Sequence, residues 1–298
     1  MLAQRTQIRP PRRFELVATP VRRTSYFRLV PIVLHARTLT VSRCITVHRS
    51  VSASRDRLWR ECATARGLTR WQADSVVGDA TRGSVLTLSW PAMGLSVRVH
   101  VAQLVQDKCV VYEVGSSRLT IEVGDGEVAL THEGLRSEDE EDGMVSAWRT
   151  ALGVLDHGIS CHPEHPRHVR WFLQPVNTTP GFAHVFFTDP AALAQWLTHS
   201  GGVPLDGDEC KLQLAWGETL TGRVLANTPE RDIALTWSEQ SNSCLVFRTF
   251  PSPRSPEERL LALSWSRYGS PDFPESSAQG LQASLERLGR ILSRTGSA

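Results

Sequence analysis

The stretch LTLSW at residues 86–90 recurs as LQLAW at residues 212–216. Each copy alternates apolar with polar side chains and ends in tryptophan, a pattern typical of a half-buried β-strand. The recurrence extends outward to residues 45–99 and 169–224, where a strand, a short helical stretch closed by tryptophan, and the strand ending in tryptophan follow one another in both copies. A repeat of this length constrains the architecture of the whole chain. We therefore expect two copies of one folded unit.

Short apolar runs separated by turn residues follow each recurring stretch. They cover residues 85–90, 95–105, 110–114, 119–123 and 128–132 in the first copy, and 210–216, 219–226, 232–238, 244–249 and 260–268 in the second. The connections are too short for parallel crossovers, so the pattern predicts antiparallel meanders. Each copy closes with a helix whose apolar side chains recur at steps of three and four: Val145, Trp148, Leu152, Leu155 and Ile159, then Leu281, Leu285, Leu288 and Leu292. The predicted fold class is α+β, with a curved antiparallel sheet wrapped around a long C-terminal helix in each copy.

The chain divides into four segments by composition and pattern. Residues 1–43 contain nine arginines and one acid, Glu15, and are expected to form a basic, disordered extension. A start codon placed too far upstream, a transit peptide and an arginine-rich arm for nucleic acid are the alternatives. The two folded units are assigned to residues 44–160 and 169–298, and the proline-containing segment 161–168 to the linker between them.

Composition argues against several classes of partner. The formal net charge is only +2, and most positive charge lies in the N-terminal segment, so the folded body is mildly acidic and not suited to nucleic acid. The six cysteines form no paired motif, which favours a reducing compartment. No apolar run approaches the roughly 20 residues that a membrane helix needs. We expect a cytoplasmic protein, whose oligomeric state the sequence leaves unknown.

The first copy resembles START-like (SRPBCC, helix-grip) domains, in the branch related to the C-terminal domain of the heat-shock-protein-90 ATPase activator. The resemblance lies in ITVHRSVSASRDRLW at 45–59, LTRW at 68–71, THEGL at 131–135 and SAW at 146–148. The second copy matches more loosely, through FTDP at 187–190 followed by Leu193 and Trp196. The resemblance to this family implies two helix-grip domains, a ligand cavity between sheet and helix, and a bacterial, stress-related setting. The activator's separate N-terminal domain has no counterpart here, so the resemblance does not extend to stimulation of a chaperone ATPase.

Aromatic and histidine side chains near the predicted gap between sheet and helix are the candidates for contact with a ligand. They are Trp71, Trp90, His100, Tyr112, His132 and Trp148 in the first domain, and Trp196, Trp216, Trp237 and Trp265 in the second. Tryptophan offers a large apolar surface with one polar N–H group, which suits a ligand wall and a hydrophobic core equally well. Each of these positions therefore has a purely structural interpretation as well.

Two further clusters are considered as metal sites, and neither is adopted. The linker region contains His157, Cys161, His162, His165 and His168, side chains that suit zinc, but the two prolines among them favour a plain linker. The acidic run at 138–142 lacks the loop pattern of a calcium site and is explained by the helix that follows it. No phosphate-binding or dinucleotide motif occurs, so no cofactor is expected.

The sequence therefore favours a non-catalytic protein that binds a small hydrophobic molecule or a protein partner. The first alternative is a helix-grip enzyme of cyclase, dehydratase or hydrolase type acting on a hydrophobic substrate, for which His100, His132 and Glu133 are the ionisable candidates. The second alternative is a chaperone-associated regulatory module.

Overall fold

The computed structural model describes residues 43–204, 206–252 and 258–295, which belong to one compact unit of the chain. The N-terminal extension expected over residues 1–43 lies almost entirely outside this range. All six cysteines fall within it and are free thiols. None of the helices in the described segments combines the length and apolar character needed to cross a membrane.

The first domain is a seven-stranded antiparallel sheet with a long helix at its C-terminal end. Its elements are β1 (Arg43–Ser50), α1 (Arg55–Ala63), α2 (Ala65–Thr69), β2 (Ser75–Val77), β3 (Val85–Trp90), β4 (Leu95–Val105), β5 (Cys109–Val114), β6 (Ser117–Val123), β7 (Glu127–Leu135) and α3 (Glu138–Cys161). The strand order is β1-β7-β6-β5-β4-β3-β2, so every pair except β1–β7 joins neighbours in sequence. A one-turn 3-10 helix, Pro91–Met93, connects β3 to β4.

The second domain repeats this plan. Its elements are β8 (Arg167–Val176), α4 (Pro180–Thr188), α5 (Pro190–Leu193), β9 (Thr198–Ser200), β10 (Glu209–Leu214), β11 (Thr219–Asn227), β12 (Ile233–Trp237), β13 (Ser243–Pro251), β14 (Arg259–Tyr268) and α6 (Glu275–Thr295). The order β8-β14-β13-β12-β11-β10-β9 matches the first sheet position by position. The predicted fold class, two helix-grip domains with antiparallel sheets, is confirmed.

Local signals explain where the short helices begin. Ser54 caps α1 by accepting a hydrogen bond from the backbone N–H of Arg57, and Asp189 caps α5 in the same way. Thr179 caps α4, with Pro180 at its first position. The short apolar run 183–187 forms the body of this helix. A run of this length has no periodicity that separates a buried strand from a helix.

Two details recur in both domains and show that the repeat is structural. The indole N–H of Trp71 donates to the carbonyl of Glu61 at 3.0 Å, and Trp196 donates to the carbonyl of Phe186 at 2.8 Å, ten residues earlier in each case. Gly78 and Gly201 end the short strands β2 and β9 with left-handed φ values of 114° and 104°. A Cβ at either glycine would lie within 2.8 Å of a backbone carbonyl, so only glycine fits.

Each sheet packs its concave face against its own long helix. In α6 the apolar stripe Leu281, Leu285, Leu288 and Leu292 is fully buried. In α3 the residues Trp148, Leu152, Leu155 and Ile159 form the matching stripe and are also buried. Both predicted stripes are confirmed, and the buried apolar area on these faces is the main source of each domain's stability.

Helix α3 also has a second buried face, which packs against the outer face of the second sheet. Strand β13 divides accordingly: Leu245 and Phe247 join the core around α6, whereas Cys244 and Val246 join the core of the first domain. A Cβ on Gly153 of α3 would lie 3.1 Å from the carbonyl oxygen of Leu225 on β11. The second domain therefore covers the first and contributes side chains to its hydrophobic core, while it keeps a separate core around α6.

Candidate functional site

A cavity of about 810 Å³ lies between the two domains, beside the N-terminal half of α3. The first domain supplies an apolar wall that includes Trp71, Trp90, Met93, Leu95, Met144 and Trp148. The second domain supplies a wall from the outer face of its sheet that includes Arg167, Trp171, Arg231, Asp232, Arg248 and Arg259. The volume of the cavity is within the range of small-molecule sites, about 300–1,000 Å³.

The three first-domain tryptophans reach the cavity from three different elements. Trp71 follows α2 and is held by its bond to the carbonyl of Glu61. Trp90 ends β3 and is only partly buried, next to the 3-10 turn that carries Met93. Trp148 projects from α3. Since these elements are fixed by the sheet and by helix capping, the apolar wall is largely formed before any ligand arrives.

Trp148 is oriented by His132. The indole N–H donates to Nδ1 of His132 at 3.2 Å, and the two rings meet edge to face with centroids 5.9 Å apart. Only a neutral imidazole can accept at Nδ1. Burial lowers the pKa of His132, with Glu140 opposing the shift, so the accepting form persists at neutral pH. In this geometry His132 positions an aromatic side chain.

The other two candidates of the first domain lie away from the cavity. Tyr112 is buried in the sheet core and donates its hydroxyl to the carbonyl of Cys62 at 2.8 Å. His100 is exposed on β4 and faces Glu113 across the sheet at 3.6 Å. The structure therefore brings together Trp71, Trp90 and Trp148, with His132 behind them.

In the second domain the corresponding gap is filled by the candidates themselves. Trp196, Trp237 and Trp265 are fully buried, and the rings of the last two stack with centroids 5.5 Å apart. Trp216 lies so close to α6 that a Cβ on Gly280 would come within 2.3 Å of its ring. Among the described residues, these tryptophans pack between sheet and helix and do not line the cavity.

The sequence reading missed the second-domain wall. Trp171 and Arg248 lie on the outer face of the sheet, which alternation alone assigns to solvent, and Arg231 and Arg259 line the same cavity. One feature did indicate that a second layer covers this face. Residues 233–237 are all buried, and a run that is apolar on both faces is typical of a sheet covered on both sides.

Two histidines of the linker region, His157 and His162, connect the domains by hydrogen bonds. His157 and His162 both hydrogen-bond through Nε2 to the carbonyl oxygen of Asn242, at 2.6 and 2.9 Å, and His162 stacks on the ring of Tyr268. Asn242 adopts a left-handed conformation in the turn before β13, which aims its carbonyl at α3. No group of three or more metal-ligating side chains converges in the described parts of the chain.

These histidines make stability depend on pH. Burial lowers the pKa of both His157 and His162 below 6.5, against the opposing hydrogen bond to Asn242. The folded protein therefore binds fewer protons than the unfolded chain, and the stability present above pH 6.5 is lost as the pH falls through the lowered values. We expect the urea midpoint to be lower at pH 5.5 than at pH 7.5. The double variant His157→Gln/His162→Gln keeps amide donors and should reduce this difference; an unchanged difference would contradict the assignment.

The acidic run at 138–142, expected to precede a helix, forms the first turn of α3 itself. Ser137 accepts a hydrogen bond from the backbone N–H of Glu140 at 3.1 Å, and the first turn carries four carboxylates. Negative charge at this end of a helix interacts favourably with the macrodipole. Asp139 and Glu140 also line the cavity, so this helix end forms part of the site.

No protein-family model and no curated protein sequence matches the chain. Several solved structures do. The protein SSP2350 from Staphylococcus saprophyticus is 15% identical with a TM-score of 0.36, over 39% of this chain and 91% of that one. DynU16, from the dynemicin biosynthetic locus, is 15% identical with a TM-score of 0.35, over 85% of this chain and 98% of that one. The Aha1 dimer from Colwellia psychrerythraea is 14% identical with a TM-score of 0.35, over 41% of this chain and 98% of that one.

At this level of identity, similarity concerns the fold alone and transfers no ligand or activity. The assignment follows from the chain's own topology: two sheets of identical strand order, each closed by a long C-terminal helix. The chain is a tandem of two helix-grip domains, and solved Aha1-like structures are among those it resembles.

Proposed function

We propose that this protein binds a small, largely apolar molecule in the cavity between its two domains and does not itself catalyse a reaction. The observation that carries the proposal is the 810 Å³ cavity with Trp71, Trp90 and Trp148 on one wall. Its size suits a ligand of drug-like dimensions, and aromatic rings fixed on separate elements provide apolar contact at low entropic cost.

Each domain contributes a different wall to the proposed binding site. The first-domain wall offers apolar surface, and the second-domain wall covers it and excludes water. His132, which lies behind the first-domain wall, is engaged with Trp148, and this supports a binding site more than acid–base chemistry.

The experiment is titration with N-phenyl-1-naphthylamine, a neutral apolar fluorophore. We expect saturable binding of one molecule per chain. Trp90→Ala and Trp148→Leu should each raise Kd about tenfold, which corresponds to ~1.4 kcal/mol of lost contact. Trp90 is the safer of the two sites because it is only partly buried.

The matched control is Phe182→Ala, which removes an aromatic ring that is 42% exposed on α4 and does not line the cavity. Its Kd should equal that of the unchanged protein. Fluorescence that rises without saturation, or stoichiometric binding that both tryptophan variants retain, would refute the proposal.

A further inference from the structure

The second-domain wall of the cavity carries four arginines and Asp232 among its apolar residues, in contrast to the tryptophan wall opposite. Three of its arginines, Arg231, Arg248 and Arg259, lie close together: Arg231 immediately precedes Asp232, which approaches Arg248 at 3.3 Å, and the charge of Arg231 acts on Arg259. A purely apolar ligand would leave this group of charges facing hydrocarbon, which is unfavourable.

The carboxylates near this group are already engaged with two of the arginines. Arg231 binds Asp139 at 2.9 Å and approaches Asp142 at 3.6 Å, both at the start of α3. Arg248 takes Asp232, which is almost fully buried. The ion pairs of Arg231 connect the two domains, and the pair of Arg248 lies within the second domain; together they hold the two arginines beside the cavity.

Arg259 is left without a carboxylate. Among the described residues it forms no ion pair, and the hydrogen bond from its Nη2 to the carbonyl of Thr249 is long, at 3.4 Å. Its Nε is buried and has no partner there. Burial lowers the pKa of Arg259 and the charge of Arg231 adds to the shift, while Asp139 and Asp232 oppose it. Burial thus outweighs the effect of these two carboxylates on the pKa, and neither of them forms an ion pair with Arg259 among the described residues.

A second unsatisfied donor lies on the same wall. Nε of Arg248 is buried without a hydrogen-bond partner among the described residues. Two guanidinium donors therefore remain to be satisfied beside the cavity, and buried donors of this kind favour an acceptor. An anionic group meets this requirement and supplies the missing negative charge as well.

We propose that the ligand is an anionic amphiphile, whose apolar body lies against the first-domain tryptophans and whose carboxylate or phosphate head group binds Arg259, with Arg248 beside it. This inference rests on the proposed function, because it names the class of molecule that the same cavity takes. The second domain then contributes head-group recognition as well as a cover.

The test compares head groups on one chain length, below the critical micelle concentrations, by displacement of the neutral fluorophore at pH 7.5. Dodecanoate or dodecyl phosphate should bind at least tenfold more tightly than dodecanol, and dodecylammonium should bind most weakly. Equal affinity for all four would overturn the anionic head group while leaving the proposed function intact. If none displaces the fluorophore and the fluorophore itself does not saturate, the proposed function fails first.

Variants locate the head-group contact. Arg259→Gln should lower the affinity for dodecanoate to about that for dodecanol and leave dodecanol unchanged. The control Arg290→Gln removes an exposed arginine of α6 outside the cavity and should change neither affinity. Retention of the full preference for dodecanoate by Arg259→Gln would overturn the assignment of this residue. If that variant does not fold, the series on the unchanged protein still decides the chemistry of the head group.

Discussion

Replacing Arg70 with methionine should destabilise the protein by about 3–5 kcal/mol, the cost expected when one partner of a buried ion pair is removed. Arg70 is 5% exposed and binds Glu61, itself 4% exposed, at 3.0 Å. Its remaining donors reach the carbonyls of Gly158 and His162, at 3.1 and 3.0 Å, and that of His165. One side chain thus ties α1 to the end of α3 and to the linker.

The loss combines a buried carboxylate that keeps only Arg57 as a partner with three carbonyls that lose a donor. Burial already raises the pKa of Glu61 in spite of both arginines. In the variant this pKa rises further, so the folded protein retains a proton that the unfolded chain releases. The destabilisation should therefore be smaller at pH 5 than at pH 8.

Urea unfolding followed by circular dichroism measures the effect. Arg60→Met is the matched control, since Arg60 is 57% exposed and pairs with Asp56 on the helix surface, an interaction worth less than about 0.5 kcal/mol. The double variant Glu61→Leu/Arg70→Met should recover part of the loss because it leaves no lone carboxylate. A loss of stability below ~1 kcal/mol for Arg70→Met would show that this network does not hold α1 to the end of α3.

Much of the fold could be predicted because its signals are local. The run 85–90 coincides with β3 and the run 95–105 with β4, and the spacing of Leu281, Leu285, Leu288 and Leu292 gave the buried face of α6. Short turns between strands excluded parallel crossovers. The three-residue strands β2 and β9 were missed, since three residues carry too little alternation to detect.

The candidate site was harder to predict because it depends on how the domains meet. Trp71, Trp90 and Trp148 could be named from residue type and position, and the structure places all three on the cavity. Arg259 could not, because alternation places it on the same side of β14 as Leu261 in the core around α6. Arg248 could not, because period-two alternation places it on a face that solvent would cover in a single domain. The packing of that face against α3 depends on contacts between residues far apart in the sequence, and local sequence patterns do not reveal such contacts.

The interface between the domains makes a further prediction, at Gly153. Replacing it with leucine should destabilise the protein by about 2–3 kcal/mol, the cost typical of overpacking. A Cβ there would lie 3.1 Å from the carbonyl oxygen and 3.2 Å from Cβ of Leu225, so a larger side chain must push α3 away from β11. Such a shift would also separate the Arg49 guanidinium of β1 from the Leu225 carbonyl, which it now reaches at 2.8 Å.

The control lies on the same helix. Gly143 has no atom within 4 Å of an added Cβ, so Gly143→Leu meets no steric barrier. Since leucine favours helix over glycine by roughly 1 kcal/mol, this variant should be as stable as the unchanged protein or slightly more stable. The contrast between the two positions separates interface packing from helix propensity.

Gly153→Leu should also weaken binding of the neutral fluorophore, because moving the second sheet off α3 opens the cavity to water. The ion pair between Arg43 and Glu141 lies at the exposed edge of the first domain and should be unaffected by the substitution. We therefore expect the sheet and the helix of the first domain to stay together. Unchanged stability and unchanged binding in Gly153→Leu would mean that the second sheet does not bear on α3 in solution, and that the cavity does not depend on the second domain as its cover.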